Sequence, residues 1–171
     1  MEDASAREHH ARALSTTRVA EIVQYLDGQH VPFELIEHGP AASAISEAHL
    51  AQRPQESAAK TIVLHDGDSY VIVAISAVDR LDLHKVRELL GATRRLRLAS
   101  EEEIARDFPT LEVGAVPPFG PMVPAAEVLD RALLEQERVL CPAGDHRHSV
   151  LVDPREIVRI TSAQVEDICE D

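Results

Sequence analysis

Two β-branched runs close together in the chain most constrain the fold. Ala59-Lys-Thr-Ile-Val-Leu64 and Tyr70-Val-Ile-Val-Ala-Ile75 are separated by His65-Asp-Gly-Asp-Ser69. Runs of this kind joined by a short glycine-bearing loop predict a β-hairpin. The second run does not alternate apolar with polar. A strand of that composition is covered on both faces, so the chain must supply layers above and below the hairpin.

Those layers can be read from periodicity. Val19, Ile22, Val23 and Leu26 recur at helical spacing and predict an amphipathic helix from Thr17 to about Gln29. Phe33–Glu37 reads as a short strand, and Ser46–Gln52 as a helix ended by Pro54. Asp82 can cap a helix carrying Leu83, Val86, Leu89 and Leu90, with Gly91 as its stop. Arg94 to Leu98 alternates Arg with Leu as a half-buried strand would. Ser100 and Glu103 form a capping box for a helix that ends at Phe108-Pro109. Arg138–Cys141 and Ser149–Val152 read as strands, and Asp153-Pro154 with Glu156 opens a last short helix. Helices and strands are mixed without strict βαβ alternation, which predicts an α+β fold with a mixed sheet. A chain of 171 residues fits one domain over 16–171, preceded by a flexible tail over 1–15.

Charge narrows the function classes. The net charge of −13 opposes non-specific binding to nucleic acid, which depends on neutralising phosphates. It fits a high-salt habitat or simple solubility. One segment runs the other way: Arg80, Lys85, Arg87, Arg94, Arg95 and Arg97 cluster within nineteen residues. That run is either a solvated face or a basic rim for phosphate. No apolar stretch approaches the roughly 20 residues needed to span a bilayer. Met1 to Ser15 is polar with no apolar signal core, and a cytoplasmic location is the expectation. Cys141 and Cys169 have no CxxC spacing and read as reduced thiols.

Several places could carry chemistry. Gly114-Ala-Val-Pro-Pro-Phe-Gly120 brackets two prolines with two glycines. The glycines admit positive φ and close approach, and the prolines stiffen the loop and remove two donors. It reads as a holder for a small polar ligand or as a tight turn. Lys60 is one of only two lysines among seventeen basic residues, at the start of a strand. A lysine there is either a mobile point charge in a cleft or a side chain reaching out to water. Gly144-Asp145-His146-Arg147-His148 is a plain polar turn or a site edge. His38, before Gly39-Pro40, lines a pocket or faces water. Cys141, His146 and His148 invite a zinc reading but bring no fourth ligand. No serine elbow, phosphate loop, dinucleotide fingerprint or HExxH motif is present. An enzyme of this composition works by positioning and electrostatics.

Ala-Ala-Lys60-Thr-Ile-Val-Leu, Gly114-Ala-Val-Pro-Pro118-Phe-Gly120 and Ala-Gly144-Asp-His146, in that order, resemble the YbaK/ProX domain. That family comprises aminoacyl-tRNA deacylases and the editing insertion of bacterial prolyl-tRNA synthetases. The resemblance spans roughly Thr17 to Thr161. It implies a mixed, strongly curved sheet flanked by helices. It also implies hydrolysis of the ester between a wrong amino acid and the 3′ end of tRNA, with tRNA-Pro or a related tRNA as substrate. Lys60 matches the family's essential lysine. Gly114, Ala115, Val116, Pro118, Phe119 and Gly120 match the segment that holds the aminoacyl ester, the free N–H groups of all but Pro118 being candidates to steady an oxyanion. Gly144 matches a glycine that lets substrate approach, and Asp145 and His146 are substrate contacts. No cofactor, metal or membrane is implied. A synthetase or elongation factor is the expected partner in presenting the tRNA to so acidic a chain. Alanyl, cysteinyl, seryl and threonyl esters all stay open. Two other readings stand beside it: a non-catalytic aminoacyl- or nucleotide-binding module associated with a synthetase, and a small metal-dependent hydrolase built on His146 and His148.

Overall fold

The computed structural model describes residues 18–91, 95–119 and 125–171. The tail expected over 1–15, and the Arg94 and Gly120 readings, lie outside the described residues. The elements run α1 (Arg18–Gly28), β1 (Phe33–Glu37), α2 (Ala44–Leu50), a 3-10 turn (Gln55–Ser57), β2 (Ala59–Asp66), β3 (Ser69–Ser76) and α3 (Leu83–Leu90). They continue with β4 (Arg97–Leu98), α4 (Glu101–Asp107), β5 (Ala126–Asp130), a second 3-10 turn (Arg131–Glu135), β6 (Val139–Pro142), β7 (His148–Val152), α5 (Pro154–Thr161) and β8 (Gln164–Glu166).

The hairpin forms as expected, with a tighter turn. β2 runs on to Asp66 and β3 begins at Ser69, pairing antiparallel from Ala59↔Ser76 to Asp66↔Ser69. Only Gly67 and Asp68 remain as the loop. Gly67 has φ 64°, the conformation a glycine supplies at the first central position of a two-residue hairpin turn. β4 pairs with β2, while β5 lies parallel to β3 and β8 parallel to β5. The order β4-β2-β3-β5-β8 is therefore a mixed sheet. A second, antiparallel sheet has the order β1-β7-β6. The strands thus divide between two sheets, and a parallel bridge, Ala58↔Leu140, ties one to the other. The fold is α+β, as the sequence implied.

Capping chemistry holds the helix ends where the sequence placed them. Asp82 accepts from the N–H groups of His84 and Lys85, and Gly91 ends α3 in the left-handed region. Ser100 and Glu103 make their capping box. α2 begins earlier than expected, because Ser43 is its cap and Ser46 closes the box from inside the helix. Of the described part of the strand read over Arg94–Leu98, only Arg97–Leu98 pairs, with Leu96 buried and Leu98 60% exposed. β5 and β8 escaped the sequence reading: each is short and carries charge, and each is a strand through pairing with a distant partner.

Three apolar clusters cover the sheets. The largest sits between the two sheets and under α1, and takes Val19, Ile22, Leu26, Ala59, Val63, Val116, Phe119, Cys141 and Val150. A second packs α3 against the other face of the mixed sheet through Leu64, Val73, Ile75, Val86 and Ile168. The third joins α2 to both sheets through Ala48, Ala58, Ala77, Leu140 and Leu151. Both faces of β3 are covered, as its unbroken apolar run required.

Candidate functional site

The loop after α4 and the loop between β6 and β7 are zipped together by their backbones. Glu112 N–H donates to Gly144 O at 2.9 Å, and Gly144 N–H donates to Ala115 O at 3.0 Å. Gly114 and Gly144 take φ of 85° and 95°, values at which a Cβ is strained. Ala115, Val116 and Phe119 are buried with Pro117 and Pro118, leaving Gly114 exposed at the crest. The stiff Pro-Pro-Phe step therefore acts as a foundation, and the approachable backbone is at Gly114.

The two glycines have different neighbours. A Cβ on Gly114 would stand 3.4 Å from Cε1 of His146. A Cβ on Gly144 would stand 3.0 Å from Cδ1 of Ile22 and 3.4 Å from Cδ2 of Leu111. What requires glycine at 144 is thus close packing of this chain's own core against α1. The N–H of Ala115 is committed to Glu112 O at 3.0 Å, which removes it from the candidate oxyanion donors. Gly114 N–H has no partner among the described residues.

A polar rim surrounds that crest. Arg18 Nη1 lies 3.0 Å from Glu112 Oε1. His146 Nε2 lies 3.0 Å from Val113 O and 3.5 Å from Glu112 Oε2. Both are acceptors, so Nε2 carries a proton, and Nδ1 has no hydrogen-bond partner among the described residues. Asp145 serves the loop itself, accepting from Arg147 N–H at 2.8 Å and from His148 Nδ1 at 2.9 Å. His146 and His148 thus engage different acceptors, and Cys141 lies fully buried in the central core; the zinc grouping does not assemble. Burial drives the Cys141 thiol pKa well up, with Glu47 and Glu127 adding to it.

Lys60 is elsewhere. Side chains alternate along a strand, and Ala59 and Val63 belong to the core shared with Val116 and Phe119. Lys60 pairs with Ile75 in register and lies on the opposite face with Ile62 and Leu64. Its Nζ donates to Asp79 O at 3.0 Å. Among the described residues it makes no ion pair. Three residues of the basic run that read as a solvated face or a rim are engaged: Arg97 grips Glu103 at 2.7 and 3.1 Å, Arg87 donates to Leu96 O at 2.9 Å, and Lys85 donates to Cys169 O at 2.7 Å.

Sequence reasoning missed Glu112, which links Arg18 to His146, and Asp79, which holds Lys60. It also missed a hydrogen-bonded chain behind the loops, buried at its Glu47 end. Glu47 bonds Ser149, whose Oγ meets His38 Nε2 at 2.7 Å, while His38 Nδ1 meets Gly39 O at 2.7 Å. Burial raises Glu47 to about 7, with the Ser149 bond opposing. His38 N–H donates to Arg147 O and Ala41 N–H to His146 O, so this chain backs the loop that carries His146. A histidine at a strand end was the sequence signal available for it.

Among solved structures, a hypothetical protein shares 26% identity at a TM-score of 0.78, over 87% of this chain and 99% of its own. A candidate trans-editing enzyme for prolyl-tRNA synthetase shares 27% identity at a TM-score of 0.79, over 90% of this chain and 98% of its own. A candidate signal-transduction protein from Marinobacter aquaeolei VT8 matches in fold at 20% identity and a TM-score of 0.66, with 88% of this chain covering 30% of its length. No curated protein matches the chain. The model of the aminoacyl-tRNA editing domain matches residues 38–160, a span that holds Lys60, the Gly114 crest and the Gly144–His146 loop, and the chain belongs to that family.

Proposed function

We propose that the chain acts in trans, as a deacylase that hydrolyses the ester of misacylated tRNA, with mischarged tRNA-Pro as its first candidate substrate. The observation that carries this is Lys60: in a chain of net charge −13 it has no carboxylate partner among the described residues and is tethered only through Asp79 O. An ammonium with two donors unspent is suited to a phosphate or an aminoacyl carbonyl. The similarity to a candidate trans-editing enzyme for prolyl-tRNA synthetase supports the substrate class. In this reading the Gly114 crest, with its N–H and the Nδ1 face of His146, receives the aminoacyl end, and water or a group of the substrate is the nucleophile. Lys60 acts at the phosphate end of the substrate.

The acidity of the chain and the pairing of its arginines favour delivery of the tRNA by a synthetase or elongation factor. A panel of mischarged tRNAs tests the reading directly. Deacylation of at least one member, lost by about 100-fold or more in Lys60→Ala, is expected, the scale set by one preorganised electrostatic contact. No turnover on any member, or full activity in Lys60→Ala, overturns it.

A further inference from the structure

The two lysines of the chain hold two stretches of backbone that are bonded to each other. Lys60 Nζ donates to Asp79 O at 3.0 Å. That carbonyl opens the turn Asp79–Asp82, which is pinned by the segment Asp167–Asp171. Asp82 N–H donates to Ile168 O at 2.8 Å, and Glu170 N–H donates to Arg80 O at 2.8 Å. Leu81 and Cys169 form an antiparallel bridge. Lys85 Nζ then closes the arrangement from α3, donating to Cys169 O at 2.7 Å and facing Asp171 Oδ1 at 3.4 Å and Asp167 Oδ1 at 3.6 Å.

The strap itself is anchored in the core. Ile168 is fully buried against α3 and the mixed sheet. Its N–H donates to Asp130 Oδ1 at 3.0 Å, and Asp130 Oδ2 accepts from Ala132 N–H at 3.1 Å. Asp79, Asp130 and Cys169 bring their polar atoms within 4.8 Å of one another. These bonds account for both oxygens of Asp130, so the cluster reads as a joint between turn and strap. A lysine on a long stem keeps many rotamers unless its head is held. Here the holder is a backbone carbonyl, and the strap fixes where that carbonyl stands.

We propose that Lys85 and the segment Asp167–Asp171 are positioning elements for Lys60, fixing the Asp79–Asp82 turn whose carbonyl aims its ammonium. The functional sense of this rests on the editing reading above; the geometry does not. Lys60 and Lys85 are the only lysines in the chain, so acylation by a succinimidyl ester, followed by peptide mass spectrometry, reports each one separately. The Lys60 amine must leave Asp79 O before it reacts.

Lys85→Met, and a chain shortened after Ile168, should each raise the Lys60 acylation rate by about threefold or more, and Lys85→Arg should restore it, as expected for loss and return of a charge-assisted bond. Rates are compared well below each variant's Tm. An unchanged Lys60 rate in either folded variant, or an Arg variant as reactive as the Met variant, overturns the proposal. Should the shortened chain fail to fold, the Lys85 pair decides. Failure of the wild type on every mischarged tRNA would sink the editing reading while leaving the acylation result standing. With an active wild type, Lys85→Met should lower kcat/KM and Lys85→Arg recover it.

Discussion

Gly144→Ala tests how the two loops are built. At φ 95° the new side chain meets backbone strain of about 1–2 kcal/mol. Its Cβ would also stand 3.0 Å from Ile22 Cδ1, with Leu111 and Arg18 at 3.4 and 3.6 Å. Ile22 is fixed in the core on α1, and overpacking such a site costs about 1–3 kcal/mol. The combined loss is about 2–5 kcal/mol, or a fall in Tm of roughly 10 °C for a chain of this size. Gly114→Ala meets strain without the core: its neighbour is the half-exposed ring of His146, so about 1–2 kcal/mol is expected. Ile22→Val costs about 0.5–1.5 kcal/mol alone. Combined with Gly144→Ala it should be partly compensating, because it removes the clashing methyl; a coupling of at least about 0.5 kcal/mol is expected. Urea unfolding of the four proteins gives the full cycle. Gly144→Ala milder than Gly114→Ala, or strict additivity with Ile22→Val, would refute the assignment of Gly144 to core packing.

Stability should fall as pH rises from about 4.5 to 8. Burial raises Glu47 to about 7 and Glu127 to about 8, from an ordinary 4.5. The folded state therefore holds more protons than the unfolded one across that window, and deprotonation favours unfolding. The double variant Glu47→Gln, Glu127→Gln should flatten the slope in urea melts at several pH values; an unaltered slope refutes it. Below that window the sign reverses. Arg106, then Tyr70, hold Asp107 down at about 2, and Arg97, then Ser100, lower Glu103. Their contribution is present above the ordinary carboxylate range and is lost as pH falls through the lowered values. Ser149→Ala leaves Glu47 buried beside His38 without its link and should cost about 1–3 kcal/mol in thermal melts. Asp82→Ala removes the acceptor for His84 and Lys85 N–H and should cost about 1 kcal/mol.

What could be read from residues alone was local. The turn at Gly67, the caps at Asp82, Ser100 and Asp153, and the double-sided burial of β3 all follow from backbone sterics and side-chain chemistry within a few residues. The motifs that carry the family resemblance are local in the same way. Tertiary structure decided what depends on distant partners. β5 is a strand because β3 offers it an edge in parallel register, β8 because β5 offers the next one, and the division into two sheets rests on which strands find each other. Lys60 lies on the face of β2 opposite the Gly114 core because the register pairs it with Ile75. Gly144 faces Ile22, more than a hundred residues away in sequence. Short-range rules set the conformation of each segment; which face meets which neighbour is set by packing, where every segment is tested against all the others at once.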